Sequence, residues 1–436
     1  MKVAFVISEC ENYAVQLFSA MLKERGHQPY LIFDPRLFAN DEVSNNRLAN
    51  FFDIRKQNIN KLKNIKPDLI GFSVYTQDYQ WALGMARMIK KEMSTPIIFG
   101  GIHCILCPEQ VIKEDCVDMV CAGEGEKFIE NIGSLPSKYV YPPQPLVENL
   151  DILPFIDRDI FYEQKPLFKQ GYTISTGRGC PHQCTFCASD ALGRFYRENK
   201  LGKYVRQRSV ENVIKELDIA QHKYNPKTVY FTDDVFTLSV NWLREFTKQY
   251  QHIGIPFYCT ANPGTIKDEE LHLLKQSGCQ MIGFGMQSCN EQTRKTLLKR
   301  TGSNARIKQV AKLCHELGIH FSFDHIYNLP TEPLEHQEEA KQFYKETRPD
   351  YVNTFTMTYL PKIELNKYLD DTTRKEVDEG KIRTTMLPKS NMFKFIWQLI
   401  KKDIRRLIIG RYSDVFFPIQ LLFVNMRDNL WIKYGQ

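Results

Sequence analysis

No apolar run in this chain is long enough to cross a bilayer, and no cleavable leader opens it: Met1-Lys2 passes straight into Val3-Ala4-Phe5-Val6-Ile7. These features point to the cytoplasm, at least initially. The composition of a disordered chain is missing as well, since 43% hydrophobic and 25% charged residues are ordinary globular values. With 436 residues the chain can build two or three domains. No nucleic-acid recognition motif accompanies its basic residues, so a nucleic-acid partner is not expected. Charge of either sign is scarce in the body as a net quantity. Residues 381–436 hold a net +8 out of the total +7, which leaves the remainder at −1.

What is present is cysteine, twelve in all. In a cytoplasmic chain these are not read as disulfides. Three of them, Cys180, Cys184 and Cys187, stand at C-x3-C-x2-C in Thr-Gly-Arg-Gly-Cys-Pro-His-Gln-Cys-Thr-Phe-Cys-Ala-Ser (176–189). Gly177, Gly179 and Pro181 make this a loop rather than a helix, and a β-rich run from Tyr172 to Thr176 precedes it. Three soft ligands on one tight loop suit an iron–sulfur cube with one iron left open. A three-cysteine zinc loop or plain buried thiols is the alternative. Cys104 and Cys107 form a C-x2-C pair followed by Cys116 and Cys121, which fits either a second metal site or a buried strand.

Strand and helix signals alternate over residues 1–133. Strands are expected at 3–8, 29–33, 67–74, 96–101 and 117–122, with helices at 13–25 and 80–93. Short apolar strands between helices predict a doubly wound, Rossmann-like parallel sheet with ligands beyond its carboxyl ends. Residues 134–170 are rich in proline and read as a linker. Residues 171–360 repeat strand then helix about six times, with strands at 172–176, 228–232, 257–260, 281–284, 320–325 and 351–357. That is a partial (β/α)6 TIM-like barrel, with its active face where the strands end. From 361 the chain reads as a basic C-terminal region, mostly helical. Met392, Ile396, Ile400, Ile404 and Leu407 recur at helical spacing opposite Lys394, Lys401, Arg405 and Arg406. Such a stripe fits either peripheral contact with an anionic membrane surface or packing on the barrel.

The cysteine loop, with its flanking Arg-Gly-Cys-Pro and the aromatic Phe186 before the third cysteine, resembles that of radical S-adenosylmethionine (SAM) enzymes. In that family three cysteines hold a [4Fe-4S] cluster whose open iron chelates the amino and carboxylate groups of SAM. The first domain resembles the cobalamin-binding domain of one subgroup, the class B methyltransferases and anaerobic cyclases. Gly100-Gly101-Ile102-His103, Pro108-Glu109 and Gly123-Glu124-Gly125-Glu126 carry that likeness. Asp-x-His-x-x-Gly, which supplies a cobalt ligand in other cobalamin proteins, is absent from the loop Glu9-Cys10-Glu11-Asn12-Tyr13. The resemblance implies cobalamin beside Ser73, Tyr75, Thr76, Gly100, Gly101, His103, Gly123 and Glu124. Gly-Gly-x-His fits a tight turn with a hydrogen-bonded histidine equally well. For SAM it implies Phe186, Asp233, Asp234, Gln287, Arg300, Leu329 and Pro330, the two aspartates meeting the amino group. This chain departs from the family at Gln287, where the subgroup has Glu. It departs again at Asn328 and Thr331, where relatives read Gly-Leu-Pro-Gly-Glu, and at Lys362-Ile363, in place of Gly-Thr after Pro361.

The implied activity is reductive cleavage of SAM, hydrogen abstraction from an unactivated carbon, and methyl transfer to it from cobalamin. The substrate would be a small or lipid-like molecule. The electron would come from an external donor such as a flavodoxin or ferredoxin. Two alternatives stay open: a radical SAM cyclase or oxidase whose first domain binds substrate, and a non-catalytic metal-binding or tail-anchored binding protein. A methylthiotransferase is disfavoured, because residues 1–133 hold no second three-cysteine set and no RNA-binding end domain is apparent.

Overall fold

In the first sheet nearly every residue is apolar, because helices cover both faces. Val3, Phe5 and Ile7 of β1 (Lys2–Ser8) are buried on one side, and Ala4 and Val6 on the other. The computed structural model describes residues 1–36, 50, 53–133, 136–380 and 383–384. The amphipathic pattern of the tail lies outside the described residues.

The chain follows β1 with α1 (Tyr13–Glu24), β2 (Gln28–Asp34), α2 (Arg55–Ile65), β3 (Leu69–Ser73), α3 (Tyr79–Lys90), β4 (Ile97–Gly100), α4 (Ile102–Leu106), β5 (Met119–Cys121) and α5 (Glu126–Glu130). A sixth strand, β6 (Tyr139–Tyr141), completes a parallel sheet of order β2-β1-β3-β4-β5-β6. The order reverses between β1 and β3, which opens a crevice at their carboxyl ends. Asn12 sits there. Its Oδ1 accepts from Val15 N at 3.1 Å and caps α1, and its Nδ2 donates to Ser73 Oγ at 3.2 Å.

The expected linker is more than a spacer. Tyr139-Val140-Tyr141 pairs in parallel with Met119–Cys121. The run is three residues long between prolines, too short to show a period. Downstream, Leu150, Ile156, Ile160, Phe161 and Tyr162 are buried.

The second sheet runs β7 (Gly171–Ile174), β10 (Thr228–Phe231), β11 (Phe257–Ala261), β12 (Cys279–Gln287), β13 (His320–Tyr327) and β14 (Tyr351–Thr356), all parallel and in chain order. β7 and β14 remain unpaired with each other, so the barrel is partial. Between β7 and β10 come a two-residue strand β8 (Gly177–Arg178), α6 (Ala188–Glu198), β9 (Arg206–Gln207) and α7 (Val210–Tyr224). The later helices are α8 (Val240–Tyr250), α9 (Asp268–Gln276), α10 (Asn304–Leu317) and α11 (Leu334–Thr347). Ser209, Ser239 and Ser303 cap α7, α8 and α10 through their side chains. One face of the sheet packs Ile174, Phe231, Phe257, Ile282, Phe284, Phe321 and Phe323 against these helices. The other face is the barrel interior.

A third apolar cluster joins the domains. Ile105, Leu106 and Cys107 of the first domain meet Ala191, Leu192 and Tyr196 of α6, Leu298, Ile326 and Leu329 of the barrel, and Ile363, Leu365 and Val377 beyond it. Residues 361–380, including α12 (Asp371–Asp378), therefore close over both domains instead of starting a detached tail.

Candidate functional site

The cysteine loop leaves β7 and is held at both ends. At its start, buried Asp233 accepts from Thr176 N at 3.0 and 3.1 Å and from Thr176 Oγ1 at 2.9 Å. Next, β8 pairs antiparallel with β9, where Gly177 and Gly179 let the backbones close. Gly179 has φ +83°, and a Cβ there would lie 2.5 Å from Tyr204 O. The loop ends at Cys187, immediately before α6.

Cys184 is buried, and Cys180 and Cys187 are half-buried. Arg300 Nη1 donates to Cys184 Sγ at 3.1 Å, and Arg300 Nη2 also bonds Gly285 O. Burial, with Asp234 and the neighbouring cysteines adding negative charge, pushes the Cys180 thiol up to about 12. Burial raises Cys187 as well. Thiolates so placed need a cationic partner, which bound iron provides. Among the described residues no three His, Cys, Asp or Glu side chains converge as a single ion would require. A mononuclear zinc would need all three sulfurs at about 2.3 Å from one point, whereas the thiolates of a cube each take a different iron. Three soft sulfurs on one loop are a donor set that such a cluster can take.

Several expected SAM residues surround this loop. Phe186 and Leu329 pack in the cluster that joins the domains. Asp234 is exposed and accepts from Ser189 Oγ at 2.6 Å. Asp233 is corrected. Its carboxylate is buried against Thr176, so it anchors the loop and is not presented to a ligand. Burial, partly offset by the Thr176 bonds, pushes it up to about 6. Gln287 ends β12 at a bulge with φ +71°. Asn328, Thr331 and Lys362 have φ of +59°, +62° and +63°. The departures from the family's glycines thus change the side chains while the left-handed turns persist. Pro330 is half-buried between Asn328 and Thr331.

The first domain needs more correction. His103 is fully buried, its Nδ1 lies 3.2 Å from Thr76 Oγ1, and its ring packs on Tyr79 at 4.1 Å. A Cβ on Gly380 would stand 2.9 Å from its Nε2. Burial lowers its pKa to about 4. His103 is therefore tied to Thr76 through Nδ1 inside the domain, while its buried Nε2 has no hydrogen-bond partner among the described residues and lies against Gly380. Gly101 has φ +95°, and a Cβ there would meet Val74 N at 2.7 Å, so it serves that same turn. A Cβ on Gly123 would meet Pro143 Cα at 2.9 Å. Ser73 is tied to Asn12. What the strand ends leave open is Tyr75, 46% exposed, and Gly100, where a Cβ would meet nothing closer than 3.7 Å. A ligand at this edge would border these two residues, and His103 would not reach it.

Glu124 belongs to a buried seam between the domains. Its carboxylate lies 2.7 Å from Arg178 Nη1 and 2.5 Å from Arg206 Nη2. Burial works against its charge, but the two guanidiniums hold it below the usual glutamate range. Glu126 meets Arg178 at 2.7 Å, Arg208 meets Glu216 at 2.7 Å, and Arg158 meets Glu11 at 3.3 Å. The sequence reading missed this seam. Four arginines and four glutamates lie scattered from 11 to 216, and only the fold makes them neighbours. Arg206 and Arg208 at alternate positions were a usable signal, since both face one side of an extended run.

Cys104, Cys107, Cys116 and Cys121 do not gather as a second metal site among the described residues. Cys107 Sγ donates to Asp378 O at 3.4 Å, Cys116 Sγ to Leu83 O at 3.9 Å and Cys121 Sγ to Gly123 O at 3.6 Å. No described helix is long and apolar enough to cross a membrane.

Comparison with known proteins bears directly on these two sites. Residues 174–344 match the Radical SAM superfamily and residues 3–133 the B12 binding domain. The chain is 27% identical over 377 residues to an uncharacterized methyltransferase of Pyrococcus horikoshii, covering 80% of each chain. It is 24% identical over 329 residues to the cytidylyl-2-hydroxyethylphosphonate methyltransferase of Streptomyces wedmorensis, covering 62% of this chain and 59% of that one. The fold is that of the radical SAM methyltransferase TsrM from Kitasatospora setae, with TM-score 0.64 and 16% identity over 84% of this chain and 75% of that one. The two matches bring the cofactors of their families, a [4Fe-4S] cluster and SAM for the barrel and cobalamin for the first domain. The loop that the barrel holds at Thr176 and Arg300 is thus a radical SAM cluster loop, and the chain is a radical SAM enzyme with a B12 binding domain ahead of its barrel.

Proposed function

We propose that this enzyme methylates an unactivated carbon of a small molecule, using SAM as the source of both radical and methyl group and cobalamin as the methyl carrier. One observation carries the proposal. Glu124, at the carboxyl end of β5, bonds Arg178, two residues before Cys180. The ligand edge of the first domain is thereby fixed beside the cluster loop, as a methyl carrier and a radical source acting on one substrate require.

The residues divide the work. Cys180, Cys184 and Cys187 would hold the cluster, and Arg300 fixes the position of the Cys184 sulfur by donating to it. Asp234 would take the SAM amino group, its carboxylate oriented by the Ser189 hydroxyl. Gln287 accepts a ribose hydroxyl, and Phe186, Leu329 and Pro330 give the adenosyl group an apolar wall. Tyr75 and Gly100 would border bound cobalamin. When bound, the cluster supplies the electron that cleaves the SAM sulfonium, and cobalamin carries the methyl group. An external one-electron donor such as a flavodoxin or ferredoxin would supply that electron.

The test is anaerobic reconstitution with iron, sulfide and cobalamin, followed by incubation with a reductant and SAM bearing a trideuterated methyl group. Corrin absorption bands, 5′-deoxyadenosine and label on cobalamin are expected. Cys184→Ala abolishes iron loading and SAM cleavage, and Cys314→Ala keeps both. 5′-Deoxyadenosine without bound corrin would reassign the first domain to substrate and refute methylation.

A further inference from the structure

Thr185, between the second and third cysteines, is a buried residue of the loop that the cofactor assignments do not use. Its N–H donates to Leu298 O at 3.3 Å and its hydroxyl to Leu297 O at 2.6 Å, and its carbonyl accepts from Leu365 N at 2.9 Å. Two segments, 292–300 and 361–368, therefore lie directly behind the loop, against the residue next to Cys184. Their exposed side chains make the protein surface behind the cluster site.

That surface is basic. Lys295, Lys299, Lys362 and Lys367 are all exposed on it. Glu364 stands between two of them, 2.5 Å from Lys299 Nζ and 3.2 Å from Lys367 Nζ, so one positive charge of the three groups stays in surplus. The side chains of Lys295 and Lys362 pair with no carboxylate among the described residues. The other acids nearby are engaged. Asp378 accepts from Lys362 N at 3.0 Å, and buried Asp190 meets Arg194 at 3.0 Å, whose Nη2 donates to Lys362 O at 2.8 Å. Asp370 and Asp371 bound the patch where α12 begins, and Arg374 meets Asp371 at 3.1 Å. Tyr368 adds a ring that is 41% exposed, with Lys367 Nζ 5.2 Å from its centroid. Flexible cations around one exposed aromatic suit a brief, electrostatically steered encounter with an acidic protein.

We infer that an acidic one-electron carrier protein docks on this patch, its carboxylates meeting Lys295, Lys362 and the lysine pair around Glu364, and Tyr368 giving the apolar contact. In each encounter the carrier loses one electron and the cluster gains it, with no atom transferred. The inference rests on the proposed catalytic reading for the need of that electron, and it adds where the carrier binds and which charge it presents. Redox encounters use small interfaces, below about 1,200 Å² in total, so a patch built from two short segments is enough. A basic carrier is repelled by the same lysines.

The test titrates the reconstituted holoenzyme with an acidic bacterial flavodoxin and follows both its binding and the rate at which its reduced form reduces the cluster. On the unmodified enzyme, raising salt from about 50 to about 500 mM is expected to weaken binding tenfold or more. Lys295→Glu with Lys362→Glu weakens binding and slows carrier-driven reduction by about tenfold or more at low salt. Lys56→Glu with Lys215→Glu, on α2 and α7 outside the patch, leaves both within about twofold. Photoreduced 5-deazariboflavin, a small uncharged donor, reduces the Lys295→Glu, Lys362→Glu enzyme at the unmodified rate. No binding of the flavodoxin, binding indifferent to salt, equal losses in the two double variants, or equal slowing with both donors overturns the inference. SAM cleavage driven by 5-deazariboflavin is scored separately. Its absence with patch-dependent binding intact refutes the catalytic reading alone, and cleavage without patch-dependent binding refutes the docking surface alone.

Discussion

Glu124→Gln should loosen the cluster loop from the first domain, and its cost can be worked from the contacts. Glu124 Oε2 faces Arg178 Nη1 at 2.7 Å and Arg206 Nη1 at 3.0 Å, and Oε1 faces Arg206 Nη2 at 2.5 Å. The side chain of Arg206 is 2% exposed. Without the carboxylate, Arg178 keeps Glu126 at 2.7 Å. Arg206 keeps only the carbonyls of Val147 at 2.9 Å and Tyr204 at 3.4 Å. The penalty therefore falls on one buried guanidinium, and breaking a buried pair on one side costs about 3 kcal/mol or more. At roughly 2.1 cal/mol/K of unfolding entropy per residue over 436 residues, that lowers the thermal midpoint by about 3 °C. Circular dichroism measures the midpoint, and iron retained after desalting reports the loop. Removing both partners, Glu124→Gln with Arg206→Met, should recover at least half of the loss, because no unpaired charge remains. The charge also sets a pH dependence. Glu124 titrates below its usual value in the folded state, so its contribution is full above about pH 4.5 and fades as pH falls through the lower folded value. An unmoved midpoint for Glu124→Gln, or a double variant as unstable as the two single losses combined, would refute the seam as the brace of the loop.

Three further outcomes are expected. Asp233 titrates at about 6 in the fold, above the ordinary value of 3.8, so its ionisation erodes stability as pH rises between these values; Asp233→Asn should flatten the midpoint over that window, and a profile parallel to the unmodified protein would count against it. Thr331→Gly should raise stability in urea by up to about 1 kcal/mol, relief of a β-branched residue at φ +62° less the added chain entropy of glycine, whereas a loss would show that the Thr331 side chain holds the turn. Arg300→Met should shed iron to a chelator faster than Lys299→Met, because Arg300 donates to Cys184 while Lys299 pairs with Glu364 at the surface; equal rates would remove Arg300 from the cluster's support.

The parts of the fold legible in the sequence are those with local causes. All six barrel strands come out within a few residues, because an apolar pattern acts over one element. The cysteine loop was legible because its glycines and cysteines are contiguous. Tyr139–Tyr141 was not, since three residues between prolines carry no period and become a strand only against Met119–Cys121. Gly101 and His103 show the opposite failure. They matched a family pattern in sequence, yet the fold turns both inward, onto Val74 and Thr76. Asp233 and Asp234 are adjacent and chemically identical, and only burial separates the anchor from the exposed carboxylate.

The apolar cluster that joins the domains bears on how this protein can be recombined. Two matched domains in series look like interchangeable modules, one for each cofactor. Here the partition between them is an illusion of the linear order, because Leu106, Leu192, Leu298 and Leu365 share a single oily joint. A chimera that swaps residues 3–133 for those of a relative would leave the barrel's half of that joint facing foreign side chains, and would expose Val377 and its neighbours to water. A grafted first domain can therefore succeed only if the pieces around 105–107, 191–196 and 357–377 travel with it.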